Sequence, residues 1–268
     1  MGRSGVSKRS IRLDNAVADR AGISRARARS LIMEGRVRVN GSVAIKAGQS
    51  VSVEAAIDVE SPRRFVSRGG EKLEYALDAF EIDVRGAQAL DVGASTGGFT
   101  DCLLQRGAAH LMAVDVGYGQ LDWRLRNDPR VTVIERTNFR LLPDDAFPDG
   151  FDIVVVDASF ISSATIVARA ERYLRPSGVI VVLVKPQFEA GRERLGSGGV
   201  VRDRVVHRAI LHEVRGAFEQ LGLGVEALAA SPLQGPAGNR EFLMALRRGT
   251  ESIGDARIDA VLAELPAR

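Results

Sequence analysis

The rhythm of apolar positions changes near residue 60. Before it, the periods are short. Residues 11–21 (IRLDNAVADRA) and 24–34 (SRARARSLIME) carry the spacing of two short helices, with Ser24 placed as N-cap of the second, Gly22 between them and Gly35 at the end. RVRVNGSVAI then alternates about Asn40-Gly41, the pair that favours a tight hairpin turn, and SVSVEA at 50–55 adds another strand. An ααβββ unit closes by about residue 58, and Ser61-Pro62-Arg63-Arg64 reads as linker.

From residue 69 the alternation lengthens. A helix over 69–80 places Leu73, Leu77 and Phe80 on one face. Apolar runs at 88–92, 110–115, 131–135, 151–157 and 179–184 read as buried parallel strands, with helices near 98–106, 119–126, 162–174 and 203–221. Two last strands, 225–230 and 241–247, flank only the turn-rich PLQGPAGN, so they pair antiparallel. The domain reading is 1–60, linker 61–66, a large α/β domain over 67–249, and a tail over 250–268 with room for one amphipathic helix.

Composition changes this picture in three places. The net charge of +3 hides an asymmetry: residues 1–50 carry +8 and the remainder −5, so a basic head precedes a mildly acidic body and suits a polyanionic partner. Cys102 is the only cysteine, which leaves no internal disulfide and no cysteine metal cluster; no metal site is expected. No apolar run approaches the roughly eighteen residues of a membrane span, and MGRSGVSKRS lacks an apolar core behind its charge, so the expectation is a cytoplasmic protein with no membrane partner. Lysine is also scarce. Only Lys8, Lys46, Lys72 and Lys185 occur among 37 basic residues, which hints at positions arginine cannot fill, since guanidinium effectively never deprotonates.

In the head, Arg25, Arg27 and Arg29 lie on the second helix, and Arg36 and Arg38 share one strand face opposite Val37 and Val39. Arg12-Leu13-Asp14, Ser24-Arg25, Ala28, Leu31-Ile32, Gly35, Val37, Val39-Asn40-Gly41 and Lys46 together resemble the alpha-L RNA-binding domain. That resemblance implies RNA contacts by Arg12, Arg25, Arg27, Arg29, Arg36, Arg38 and Lys46. Arginines can neutralise phosphates and stack on unpaired bases, and folded RNA is read largely by shape. Asp14 and the aliphatic positions read as structural.

In the body, the strand at 88–92 runs into Asp91-Val92-Gly93-Ala94-Ser95-Thr96-Gly97-Gly98-Phe99-Thr100. Glycines between a buried strand and a helix let a ligand approach the backbone. The spacing G-x-x-x-G-G is not the dinucleotide fingerprint. Asp115 ends the next strand, where a carboxylate can accept both hydroxyls of a ribose. With the strand order, this resembles the S-adenosylmethionine loop of class I (Rossmann-like) methyltransferases. The implied cofactor contacts are Asp91, Gly93, Ala94, Ser95, Gly97, Gly98, Phe99 and Asp115, with Asn138 and Phe160 as further candidates; Phe160 is as readily a core aromatic. Gly97→Val is expected to block the cofactor by filling the backbone's line of approach.

Four charged residues come to one sheet edge. Asp157 and Lys185 end parallel strands, Glu241 begins an antiparallel one, and Lys72 lies on the helix before the first strand. Each alone could be a solvated charge. The set Lys72, Asp157, Lys185 and Glu241 resembles the tetrad of FtsJ-type ribose 2′-O-methyltransferases. Ser67-Arg68-Gly69-Gly70-Glu71-Lys72-Leu73, Asp115-Val116-Gly117-Tyr118-Gly119-Gln120, Asp157-Ala158-Ser159-Phe160-Ile161-Ser162 and Val184-Lys185-Pro186-Gln187-Phe188-Glu189 make the chain similar to the TlyA (hemolysin A) family, whose members commonly carry an aromatic in the linker, here Phe65.

The resemblance implies methyl transfer from S-adenosylmethionine to a ribose 2′-hydroxyl of ribosomal RNA, at a cytidine, with ribosomal RNA or ribosomal subunits as partner. Lys185 is the candidate base. It must be neutral to act; a neighbouring Lys72 ammonium favours that, while Asp157 and Glu241 oppose it and read as supports. Two alternatives stand beside this. A base N-methyltransferase would need Asp157-Ala158-Ser159-Phe160 to replace an Asp-Pro-Pro-Tyr loop, and a non-catalytic RNA-binding or assembly factor would leave the cofactor loop idle. Nothing reads as a pore. The glycine-rich segment 190–200 after Lys185 reads either as a hinged flap or as an inert loop.

Overall fold

The computed structural model describes residues 9–60, 64–235 and 237–265. The first eight residues and linker residues 61–63 lie outside the described residues. Contacts divide the chain into two units between Arg63 and Arg64.

The first unit contains β1 (Ser10–Arg12), α1 (Leu13–Ala21), α2 (Arg25–Met33), β2 (Val37–Val39), β3 (Ser42–Val43), β4 (Ser50–Ser52) and β5 (Ile57–Val59). Gly22, at φ 62°, ends α1, and the Ser24 hydroxyl accepts from the Arg27 N–H at 3.2 Å to cap α2. Asn40 and Gly41, at φ 50° and 80°, make the hairpin turn between β2 and β3. Leu13, Val17, Ala28, Leu31, Ile32 and Val37 form the core. Three boundaries differ from the sequence reading. The first helix starts at Leu13, because residues 10–12 pair with β4 instead. The strand at 50–55 stops at Ser52, and β5 pairs with β2 where no strand was read.

The second unit contains α3 (Gly69–Ala79), β6 (Gln88–Val92), α4 (Gly98–Gln105), β7 (His110–Val114), α5 (Trp123–Arg126), β8 (Val131–Ile134), β9 (Phe151–Val156), α6 (Ser163–Ala170), β10 (Leu174–Val184), α7 (Pro186–Glu189), α8 (Arg204–Gln220), β11 (Leu223–Ala230), β12 (Phe242–Arg248) and α9 (Asp255–Ala263). One seven-stranded sheet runs in the order β11-β12-β10-β9-β6-β7-β8, antiparallel only at β12. This is the mixed α/β sheet of the class I methyltransferases.

Alternate residues of each strand feed opposite faces, as a doubly covered sheet requires. Ile153 and Val155 join Leu73, Leu77, Phe99 and Leu103 under α3 and α4, while Val154 and Val156 join Ile166, Ile210 and Phe218 under α6 and α8. α5 is shorter than its reading, since Asp122 caps it by accepting from the Arg124 N–H at 2.9 Å. α6 ends at Ala170 rather than 174, and β10 begins early at Leu174; its pairing with β9 breaks between Leu174 and Val179, where Pro176 has no N–H to give. Past residue 249 the helix for which the sequence left room is α9, which buries Ile258, Val261 and Leu262 in the core under α8. Phe65, read as linker, is also buried, at 2% exposure, and packs so closely on Gly70 that a Cβ there would lie 2.3 Å from its ring.

Candidate active site

At the C-terminal ends of β6 and β7 the chain opens a cleft of about 630 Å³. Val92, Val114, Phe139, Ile161 and Ile166 supply apolar wall, and the polar lining is Ser95, Asp115, Gln120, Thr137, Asn138, Arg140, Asp157 and Ser159. A smaller cavity of about 120 Å³ shares Gly93, Ser95 and Asp157 with the cleft and adds Lys72, Ala94, Gly98 and Phe99. The loop between β6 and α4 shapes both. Gly93, at φ 88°, runs so close to β9 that a Cβ would sit 2.6 Å from the Asp157 carbonyl oxygen. Ser95, at φ 50°, donates its N–H to Asp115 Oδ2 at 2.8 Å, and Gly117 donates to Oδ1 at 2.6 Å. Asp115 therefore ties the loop to the end of β7 while its carboxylate still lines the cleft. Asn138 Oδ1 accepts from the Arg140 N–H at 3.2 Å, which fixes the side chain at the opposite wall.

Two residues read as cofactor contacts line neither cavity. Asp91 is fully buried beneath the loop and accepts from the Thr100 hydroxyl at 2.7 Å; burial pushes its carboxyl up to about 7. Gly97, at φ 94°, faces α5: a Cβ there would meet Leu125 Cδ1 at 2.3 Å and Leu121 Cδ1 at 2.8 Å. Gly97→Val is thus expected to act through packing and backbone strain, by dislodging the loop. Thermal unfolding should show a lower Tm in the absence of cofactor, partly restored in Gly97→Val/Leu125→Ala. An unchanged Tm with lost cofactor affinity would return Gly97 to direct contact.

The four charged residues form two ion pairs. Lys72 Nζ, on the first turn of α3, donates to Glu241 Oε2, with exposures of 8% and 3%. Lys185 Nζ, just past β10, lies 2.6 Å from Asp157 Oδ1 and donates to Ser159 Oγ at 2.8 Å. Each lysine has its own carboxylate, an assignment of partners that the sequence reading, with Asp157 and Glu241 as supports of the two lysines, left open. The pairs meet at the smaller cavity, lined by both Lys72 and Asp157. Glu241 sits immediately before β12 rather than within it, and its carbonyl accepts from the Ser231 N–H at 2.9 Å.

Phe160 is not a core aromatic. It is 90% exposed at the lip of the cleft, held at φ 64°, with its ring 5.0 Å from that of Phe188. Segment 190–200 is fastened to its surroundings. Arg194 pairs with Glu213 at 2.7 and 2.8 Å, Val200 is buried, and Asn239 accepts from the Val201 N–H at 2.9 Å and donates to the Gly199 carbonyl at 3.2 Å. Sequence reasoning missed Gln120, Thr137, Phe139, Ser159, Ile161 and Ile166 among the lining residues. Gln120, Ser159 and Ile161 stood inside motifs that carry the family resemblance; the others carried no signal of their own.

In the first unit Asp14 is a hub. Arg12, Arg25 and Arg29 each place a guanidinium nitrogen about 3 Å from its Oδ2, at 2.9, 3.1 and 3.1 Å. Asp14 has no exposed surface because these half-exposed guanidiniums cover it, and hydrogen bonding, led by Arg12, holds its carboxyl well below the usual carboxylate range. Arg27 and Arg36 stand apart, each 3.7 Å from Glu34, because Arg27 lies on the other side of α2 from Arg25 and Arg29. Arg38 donates to the Gly41 carbonyl at 3.2 Å, and Lys46 is exposed.

A family model described as FtsJ-like methyltransferase matches residues 65–248, and one described as S4 domain matches residues 11–57. The chain is 49% identical over 237 residues to the 16S/23S rRNA (cytidine-2′-O)-methyltransferase TlyA of Mycobacterium tuberculosis, covering 87% of this chain and 88% of that protein. It is 40% identical over 221 residues to hemolysin A of Brachyspira hyodysenteriae, covering 82% and 92%. A solved structure from Streptococcus thermophilus that carries a hemolysin name aligns with a TM-score of 0.75 at 38% identity, covering 96% of both chains.

Proposed function

This chain belongs to the FtsJ-like methyltransferase family and carries an S4 domain before the catalytic unit; from that premise we propose that it transfers a methyl group from S-adenosylmethionine to the 2′-hydroxyl of a cytidine in ribosomal RNA. The observation that carries the reading is the juxtaposition of two cavities, one suited to a nucleoside cofactor and one walled by Lys72 and Asp157.

The cleft fits the cofactor on its own terms. It is large enough for a nucleoside, apolar along its walls, and has a carboxylate at the end of β7 where ribose hydroxyls are commonly bound. Asp115, Ser95, Gly93, Asn138 and Phe160 would hold it, and Ala94, Gly98 and Phe99 shape the loop beside it. When bound, S-adenosylmethionine supplies an electrophilic methyl on a sulfonium. Lys185 removes the ribose proton, and Asp157 holds its amine in place. Lys72, anchored by Glu241, sets positive charge on the cavity wall, where it favours the oxyanion that develops at the attacking oxygen. Alignment of the reacting atoms supplies much of the remaining acceleration.

The S4 unit brings the RNA. Its hub keeps three guanidiniums at one spot with a net charge of +2, a ready-made docking point for phosphates. Arg25→Ala with Arg29→Ala is expected to weaken RNA binding and flatten its salt dependence by roughly one to two counterions, with cofactor affinity unmoved. A filter-binding titration across salt concentrations measures both; an unchanged slope would place the docking surface elsewhere. The reading implies action in the cytoplasm, where ribosomes are. Among the described residues no helix is long and apolar enough to cross a membrane.

The deciding experiment incubates the protein with ribosomal RNA and labelled cofactor, digests the product to nucleosides and maps the label. A 2′-O-methylated cytidine is the expected product. Label on a base would replace the reading with base methylation, and no label with bound cofactor would leave an RNA-binding factor.

A further inference from the structure

Lys185 has a second partner that the four charged residues do not include. Its Nζ donates to Ser159 Oγ at 2.8 Å and forms an ion pair with Asp157 Oδ1 at 2.6 Å, and both partners come from the short stretch that follows β9. A neutral primary amine carries two N–H bonds and one lone pair. With Asp157 alone, rotation about Cε–Nζ would leave that lone pair free to sweep a cone. The Ser159 hydroxyl, which accepts from an N–H of this amine, adds a directional contact to the ion pair and fixes the direction in which the amine can take a proton. Resting on the function proposed above, we propose that Ser159 is a positioning residue of methyl transfer, which orients the Lys185 amine toward the ribose hydroxyl.

Three features of the fold make Ser159 more than a surface serine near a lysine. Lys185 is only 9% exposed, so few waters can substitute for the hydroxyl. The next residue, Phe160, is held in the left-handed region at φ 64° although it is neither glycine nor asparagine, a conformation that persists only where surrounding structure imposes it. This turn sets the path of the backbone that carries Ser159. Ser159 also lines the 630 Å³ cleft, so the hydroxyl that contacts the base borders the cofactor space as well. Having accepted from Lys185, it keeps its own O–H for donation. The proton balance is unchanged by this role: the ribose proton moves to Lys185 Nζ as the new carbon–oxygen bond forms and the carbon–sulfur bond breaks, and Ser159 neither gains nor loses a proton.

The test is single-turnover methyl transfer at saturating cofactor and RNA for Ser159→Ala and Ser159→Thr, with Lys185→Arg run alongside and cofactor affinity measured by calorimetry. Ser159→Ala should be about 10–100-fold slower, as expected for a misaligned reacting group. Its solvent deuterium isotope effect should rise, because proton transfer becomes more limiting, and its cofactor Kd should stay within about twofold. Ser159→Thr, which keeps the hydroxyl, should recover most of the rate. A merely structural serine would move neither the isotope effect nor show hydroxyl-specific rescue. A near-normal Ser159→Ala rate beside an inactive Lys185→Arg overturns the role of Ser159 alone. Near-normal rates in both variants overturn the general-base reading beneath it.

Discussion

Lys185→Arg is expected to lower single-turnover methyl transfer by about 10²–10⁴-fold, the usual cost of losing a general base. The guanidinium keeps the positive charge and can still pair with Asp157, so cofactor and RNA affinities should hold. What it lacks is an accessible neutral form. Lys185→Ala should be similarly inactive, and that equality separates lost proton transfer from lost charge. Glu241→Gln should be milder, because it keeps the shape and part of the hydrogen bonding to Lys72. If the arginine variant turned over at a near-normal rate, Lys185 would be a positioning cation, and catalysis would rest on alignment.

The second large effect is on stability. Lys72 and Glu241 are almost completely buried as a pair, with 8% and 3% exposure. Removing one partner leaves a desolvated charge, which costs about 3–5 kcal/mol, whereas replacing both with apolar side chains is often nearly neutral. Lys72→Met should therefore be strongly destabilised in urea or guanidinium unfolding, and Lys72→Met/Glu241→Leu should regain most of the loss. Activity should not return with it, because the cation on the cavity wall is still missing. A double variant that regained both stability and methyl transfer would reduce the pair to a structural role.

The seven-stranded sheet was legible because each long strand carries an unbroken apolar run and each helix an apolar stripe, signals that average over many residues. β1 and β5 have three residues each, too few for a period to emerge, and their pairing is decided by strands 18 to 42 positions away. The early start of β10 was hidden by Pro176 and Gly178, which locally forbid regular pairing even though the strand resumes. At the site, residue type and position at strand ends pointed to the lysines and carboxylates. Their division into two pairs depends on side-chain geometry that no spacing encodes. Gly97 shows the limit most directly, since the leucines that require a glycine there lie 24 and 28 residues onward. The hub at Asp14 was visible as a charge excess, but its sharing by three arginines was not.

The sheet order also has a consequence for the timing of synthesis. β12 lies between β10 and β11, yet among the described strands it is the last in the chain, and the residue just before it is Glu241. A chain still emerging from the ribosome therefore has Lys72 without its carboxylate and an open gap beside β10 until residues 241–248 have been made. The Lys72–Glu241 pair and the closed sheet arrive together. If Glu241 serves as proposed, a truncation upstream of residue 241 is expected to leave the first unit intact and to abolish methyl transfer.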